Sequence, residues 1–227
     1  IGMAKVVSLG NKADLSEVDF LETLGADKET RVIVGYLENI NDGAKFLYIA
    51  EQTAAHTPVV VLKAGTTEAG AKAASSHTGS LAGADEAYAA AFKHSGVIRA
   101  QSFERLFDYA LAFAHQPLPA GNRVSIITNA GGPGIMAADA AEANGLQLIA
   151  PSEEAQAAMK PALPPTAALG NPVDVIGDAD PPRYLAALKA LQDDPNTDAI
   201  VVLVTPQNMT QPLVLAKALA KANKKKK

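Results

Sequence analysis

Short runs of β-branched and aliphatic residues, closed by glycine, proline or asparagine, alternate along this chain with alanine-rich stretches whose apolar positions recur every three or four residues. That alternation predicts parallel strands covered by helices, an α/β fold. In the first half the strand candidates are Lys5 to Leu9, Arg31 to Leu37, Pro58 to Lys63 and Val97 to Arg99. Helices are predicted over Glu17 to Leu24, which opens at a Ser16-x-x-Asp19 cap, then Asp42 to His56, Thr67 to Ala74, Ala84 to His94 and Phe103 to His115. The stretch from Gln116 to Asn122 holds two prolines and a glycine and suits neither a helix nor a central strand. It predicts a boundary between domains at residues 1–118 and 119–227. Beyond it the alternation restarts with strands at Arg123 to Thr128, Leu146 to Ile149 and Asp198 to Val204, and a Pro161 to Pro165 break precedes the run Asn171 to Val175. The helices between and after them are Ile135 to Asn144, Ser152 to Lys160, Pro181 to Leu191 and Gln211 to Ala222. The halves share a layout without a fixed-period repeat.

Composition narrows the function. The 227 residues are enough for two domains with cores of their own. Net charge is −4 even with four lysines at Lys224 to Lys227, so the body is acidic, which speaks against a basic nucleic-acid-binding face. Without cysteine there is no disulfide, thiolate zinc site or Cys nucleophile, and export to an oxidising compartment gains no support. The longest apolar strand core, Ala199 to Val204, is far below the ~20 residues that span a bilayer. No basic segment with a long apolar stretch leads into Lys5. The expectation is a cytoplasmic protein that binds neither membrane nor nucleic acid.

In open parallel sheets ligands sit outside the carboxyl ends of the strands. Those ends are Ser8-Leu9-Gly10-Asn11, Tyr36-Leu37-Glu38, Leu62-Lys63-Ala64-Gly65 and Thr128-Asn129-Ala130-Gly131-Gly132-Pro133-Gly134. A glycine-rich turn between strand and helix lets backbone amides approach an anion, so the last suits a phosphate. Gly132-x-Gly134-x-x-Ala137, with Glu153 and Glu154 downstream, also matches a dinucleotide fingerprint, and a tight turn with no ligand is the third reading. Gly65-x-x-x-x-Gly70-Ala71-Lys72 resembles a P-loop, but the lysine is one residue late and Ala73 stands where a hydroxyl is needed. Ser75-Ser76-His77-Thr78-Gly79-Ser80 is a loop of small polar residues around one imidazole, either an exposed histidine without a task or a reactive one. His56, His94 and His115 fall at helix ends, where they complement the dipole. No histidine pair has metal spacing and no nucleophile elbow occurs, so no metal ligand is expected. Glu38 ends a strand whose apolar character predicts a central position, which would bring its carboxylate within reach of His77; alternatively it is a surface glutamate opening a turn.

Five runs together carry a family resemblance: Lys5-Val6-Val7-Ser8-Leu9-Gly10-Asn11-Lys12-Ala13-Asp14, Tyr36-Leu37-Glu38, Pro58 to Gly65, Ser76-His77-Thr78-Gly79-Ser80 and Thr128 to Gly134. In this order they resemble the NDP-forming acyl-CoA synthetases, the superfamily of ADP-forming acetate–CoA ligase and succinyl-CoA synthetase. The resemblance implies two flavodoxin-like, three-layer CoA-ligase domains. It implies that His77 is phosphorylated, that Glu38 orients and stabilises it, and that Thr78, Gly79 and the turn of Asn129, Gly131, Gly132 and Gly134 hold the phosphoryl group, with the helix N-terminus facing the phosphohistidine.

The implied activity interconverts acyl-CoA, ADP and phosphate with carboxylic acid, CoA and ATP, an acid–thiol ligase reaction. CoA, phosphate and ADP or ATP with Mg²⁺ are the implied cofactors, the nucleotide and Mg²⁺ residing on other domains. CoA-binding and ATP-grasp domains or subunits are the implied partners, in an oligomer. Members of the family carry, just upstream of the stretch matching Ile1, a strand and a serine-glycine turn opening a second phosphate-facing helix, and a further strand beyond the stretch matching the end, so truncation at both ends is expected. Relatives fused to an acetyltransferase domain can lack the histidine, and His77 is present here. The alternative is a non-catalytic CoA- or dinucleotide-binding regulatory module.

Overall fold

Parallel strand pairing organises both halves of the protein. The computed structural model describes residues 2–67, 69–70, 72 and 85–222. It divides into two units, Ile1–Gln116 and Pro117–Lys227. In the first, the order is α1 (Glu17–Gly25), β1 (Ile33–Leu37), α2 (Gly43–Ala54), β2 (Val59–Lys63), α3 (Asp85–Ser95), β3 (Ile98–Ala100) and α4 (Phe103–His115). The strands form a parallel sheet in the order β1-β2-β3. Period-2 alternation sends Val59 and Val61 into a core with Val18, Leu21, Phe46, Ile49 and Phe92 from α1, α2 and α3. Val60 faces the other way, onto Leu106 of α4. Helices thus cover both faces of the sheet, giving the three layers of an α/β unit.

The second unit runs β4 (Val124–Thr128), α5 (Gly131–Ala143), α6 (Glu153–Met159), β5 (Val173–Asp174), α7 (Pro181–Asp193), β6 (Ala199–Leu203) and α8 (Pro212–Ala222), with a 3₁₀ turn at Lys160–Ala162. Its parallel sheet has the order β5-β4-β6. All five residues of β4 are buried, as expected of a central parallel strand. Ile127, Met159, Val173, Tyr184, Leu191 and Leu215 build the core. No helix among the described residues is long and apolar enough to cross a membrane.

Two expected strands are not formed. Lys5 to Leu9 forms no regular secondary structure and belongs to neither sheet. Between it and β1 lies a cavity of about 680 Å³ whose lining includes Val6, Val7, Val34, Tyr36 and Phe107. The strand that precedes Glu38 therefore lies at a sheet edge, where the sequence predicted a central position, with Val34 39% and Tyr36 50% exposed. Leu146 to Ile149 is reduced to one parallel bridge between Arg123 and Gln147. Here a side chain competes for the ladder: the Asn171 carboxamide accepts from the Ile126 amide at 3.0 Å and donates to Val124 and Ile149 carbonyls at 2.7 and 3.0 Å. Asn171 thereby serves the backbone of β4 ahead of β5, which is why β5 needs only two residues.

Tyr184, fully buried on α7, donates its hydroxyl to the Leu203 carbonyl at 3.1 Å, tying the helix to the end of β6. Burial, with the Asp174 carboxylate adding to it, pushes this hydroxyl up to about 12. An acid raised above its unfolded value favours the fold while it is protonated in both states. Its contribution is complete below about 10 and is lost as the unfolded chain ionises on the way to 12. Urea unfolding followed from pH 9 to 12 should show that loss, and Tyr184→Phe should flatten it while lowering neutral-pH stability by about 1 kcal/mol for the missing hydrogen bond.

Candidate functional site

In the first unit, β1 and β2 end side by side. Leu37 pairs with Lys63, and the Ala64 amide donates to the Leu37 carbonyl at 2.9 Å, so Glu38 leaves the sheet next to the start of the segment that follows Lys63. Glu38 is half-buried in a bend. The chain behind it is fixed by Lys12, whose ammonium donates to the Asn39 carbonyl at 2.7 Å and to Glu17 Oε2 at 2.9 Å. Glu17 is buried and Lys12 only partly exposed. Lys12 has φ +53° and follows Gly10 at +56°, the left-handed geometry that folds the chain back so that the lysine points under Asn39. The Gly10-Asn11-Lys12 run of the sequence thus acts as a strut under Glu38.

Lys63 itself was not singled out by the sequence. It is 4% exposed, donates to the Ala64 carbonyl and lies 4.5 Å from the centre of the Tyr88 ring. Burial pushes its ammonium down from the ordinary lysine value; Asp85 and Glu38 oppose that, and Arg99 and Lys12 add to it. Arg99 and Asp85 pair at 2.6 Å. The signal was present: Lys63 closes an otherwise apolar strand and falls on the same face as Val59 and Val61. His77, Thr78 and Gly79 lie outside the described residues, so Glu38 is the described member of that predicted group.

In the second unit the glycine-rich turn is part of the helix. The sequence predicted a start at Ile135, whereas α5 begins at Gly131 with Ala130 as an N-cap that makes no side-chain bond. Gly131 and Gly132 occupy the first two helical positions, whose amides have no acceptor within the helix, and Pro133 has no amide to satisfy. Gly134 differs from its expected role as a donor: its amide bonds the Ala130 carbonyl at 3.1 Å. Its place is steric, since a Cβ there would lie 2.9 Å from Thr128 Cγ2. The Asn129 side chain also has another task. It donates to the Thr205 carbonyl at 2.9 Å and accepts from the Thr205 amide at 2.8 Å, clamping the ends of β4 and β6. Thr128 Oγ1 accepts from the Ala130 amide at 3.1 Å and shapes the turn. An anion at this end of α5 therefore meets two free amides, a helix dipole and no carboxylate of the turn. Beside the same strand ends an open groove of about 730 Å³ is lined by Gly177, Asp178, Pro206, Gln207, Asn208 and Met209.

The dinucleotide reading of this turn loses its acidic partner. Glu153 and Glu154 are exposed in the first turn of α6, where they complement that helix's own dipole, and the strand expected to lead toward them is not formed. Among the described residues no three histidine or acidic side chains are grouped to hold a metal.

Comparison with known proteins fits this geometry. Residues 1–113 match the succinyl-CoA ligase like flavodoxin domain and residues 124–227 the Ligase-CoA domain. The chain is 50% identical over 206 residues to acetate–CoA ligase (ADP-forming) I of Archaeoglobus fulgidus, covering 91% of this chain and 30% of that protein. It is 45% identical over 216 residues to the alpha subunit of acetate–CoA ligase (ADP-forming) I of Pyrococcus furiosus, covering 95% of this chain and 46% of that one. A solved acetyl-coenzyme A synthetase 1 of Ca. Korarchaeum cryptofilum, in complex with phosphate and ADP, superposes with a TM-score of 0.90 at 40% identity over 96% of this chain and 47% of that one. The chain thus spans less than half the length of these relatives. With both halves matched in order and the two parallel-sheet units in place, the chain belongs to the NDP-forming acyl-CoA synthetases, as their pair of flavodoxin-like CoA-ligase domains.

Proposed function

We propose that this chain is the phosphoryl-relay part of an ADP-forming acyl-CoA synthetase, and that His77 carries the phosphoryl group between acyl phosphate and ADP. The observation that carries the reading is the start of α5, where the amides of Gly131 and Gly132 are open to an anion while Asn129 and Gly134 hold the turn in shape. Phosphate attacks the thioester carbonyl of acyl-CoA, the C–S bond breaks and CoA leaves as the thiol, giving acyl phosphate. His77 Nε2 then attacks phosphorus, the P–O bond to the acyl group breaks, and the carboxylate departs. A β-phosphate oxygen of ADP finally takes the phosphoryl group from nitrogen and frees the imidazole.

Glu38 accepts the Nδ1–H hydrogen bond and fixes the tautomer that leaves Nε2 nucleophilic. A carboxylate partner raises the imidazole pKa, and a rise of about one unit from ~6.5 cuts the neutral fraction at pH 7 about threefold, or ~0.7 kcal/mol. Positioning of an acid–base partner is worth ~10²- to 10⁴-fold, so the pairing is favourable. Uncharged amides suit the dianionic group because they need not exchange a proton with it.

CoA, nucleotide and the accompanying Mg²⁺ are held chiefly by CoA-binding and ATP-grasp domains or partner subunits in a cytoplasmic assembly. The cavity beside β1 supports the same view, since its apolar walls and open strand edge match a further parallel strand supplied by the rest of such a protein.

Mixed with an ATP-grasp partner from a related ligase, Mg²⁺ and radiolabelled ATP, the chain should acquire acid-labile, base-stable label. His77→Ala should abolish it and Glu38→Gln slow it about 100-fold or more; equal labelling of wild type and His77→Ala refutes the relay. Gly134→Ala should lower both stability, by about 1 to 3 kcal/mol, and the labelling rate, because the new methyl meets the Thr128 methyl. Thr128→Ser in the same chain removes that methyl, keeps the hydroxyl bond to Ala130, and should restore both.

A further inference from the structure

A carboxylate oxygen without a partner marks the cavity beside β1. Glu17 is 4% exposed; its Oε2 accepts from Lys12 at 2.9 Å, while its Oε1 is sealed from water and accepts from no donor among the described residues. Glu17 is also one of the residues that line the cavity. An oxygen left in this state has lost its hydration and gained nothing for it. The arrangement is complete only when something in the cavity donates to Oε1.

The walls say what that is. In β1 the Ile33 amide donates to the Pro58 carbonyl and the Leu37 carbonyl accepts from the Ala64 amide, so Ile33, Gly35 and Leu37 turn their backbone groups toward β2. Val34 and Tyr36 turn theirs toward the cavity, a row of two amides and two carbonyls repeating at about 6.6 Å. A small molecule answers the carboxylate but not that repeat, whereas an extended polypeptide answers both. Phe20 and Leu24 of α1 line the space on one face, Phe103 and Phe107 of α4 on the other, and Val6 and Val7 on the side away from β1. A space so bounded admits one strand of apolar side chains and excludes the sheet edge of a folded second copy, which would bring its own helices. Lys12 joins Glu17 to the Asn39 carbonyl, two residues beyond β1, so the unpaired oxygen lies at the carboxyl end of the row.

We infer that Glu17 is the recognition residue of this cavity: a lone extended segment from the rest of the protein enters parallel to β1, and a side-chain donor at its carboxyl end bonds Glu17 Oε1. This rests on the reading above of the cavity as the place of a further parallel strand. The direction follows from the sheet, in which β1, β2 and β3 all run the same way. The donor is a side chain because the segment's own amides are taken up along β1, and it is uncharged, a hydroxyl or carboxamide, because Lys12 already balances the carboxylate. A bond to a carboxylate is about twice as strong as one between neutral groups. Glu17 thereby selects among apolar segments that would otherwise fit alike.

The test uses the full chain with a probe segment of alternating valine and isoleucine tethered ahead of Ile1. A Gly/Ser linker of about twenty residues lets the segment reach the cavity at millimolar effective concentration. Amide hydrogen exchange is the readout, against a chain carrying the linker alone. Val34 and Tyr36 should exchange at least about tenfold more slowly, and Ile33, Gly35 and Leu37, whose amides already face β2, should change less. Serine or asparagine, placed in turn at each of the segment's last three positions, should at one of them deepen that protection about 10- to 100-fold over alanine. Lys12→Met with Glu17→Met, which removes both partners of the ion pair, should erase the difference. Should that pair of changes not fold, Glu17→Gln supplies the measurement, because a neutral acceptor should reduce the difference to a few-fold. Val34 and Tyr36 protected equally by all segments, or a difference that survives the loss of Glu17, overturns the role of Glu17 alone. Amides that stay unprotected, or slowing spread evenly from Ile33 to Leu37, overturns the strand reading of the cavity and the role of Glu17 together.

Discussion

Parallel pairing imposes one constraint from which the rest of this structure follows. Strands that run in the same direction bring all their carboxyl ends to one edge of the sheet, and strands covered on both faces by helices have little room for polar groups elsewhere. Polar chemistry therefore collects at those ends. In the first unit the strand ends deliver Glu38 and Lys63. In the second, β4 delivers Thr128 and Asn129 and then the open amides of α5. Each of these side chains lies where leaving the sheet first becomes possible, and each must find a partner because it is still partly inside.

The partners divide into two kinds, and the division separates scaffold from chemistry. Asn129 is wholly occupied by Thr205, and Asn171 by three backbone groups of two segments, so both are consumed in fixing strands. Lys12 is likewise held by Glu17 and Asn39. Gly131, Gly132 and Glu38 are left with capacity to act on something else. A phosphate site built this way needs its neighbours saturated, because any spare donor or acceptor in the turn would compete with the ligand.

Much of this was legible in the sequence. The capping serines and aspartates at Ser16, Asp42, Ser102, Ser152 and Asp180 open helices where the pattern placed them, and the strand cores at Val59 and Val124 needed only their β-branched content. Lys5 to Leu9 and Leu146 to Ile149 have equally good strand composition and are not ladder strands, since pairing depends on a neighbour that local sequence does not specify. The start of α5 was missed because three glycines and a proline have poor helix propensity; they are tolerated at the first turn, where no intrahelical bond is lost. The task of Asn129 was unreadable for a different reason: its partner, Thr205, is far along the chain, and a carboxamide beside a glycine turn looks the same whether it holds a ligand or a strand.

The uncapped start of α5 has one more consequence. A cradle of peptide amides has no rotamers to freeze and no proton to gain or lose in the range where enzymes work, so holding an anion there costs little ordering and carries no titration of its own. On the proposed reading, the acidity response of the phosphoryl chemistry is thereby assigned to the side chains of the first unit and not to the cradle that holds the phosphate. Evolution could then retune the pH at which such an enzyme works by changing a single charged residue, without touching the part that recognises phosphate.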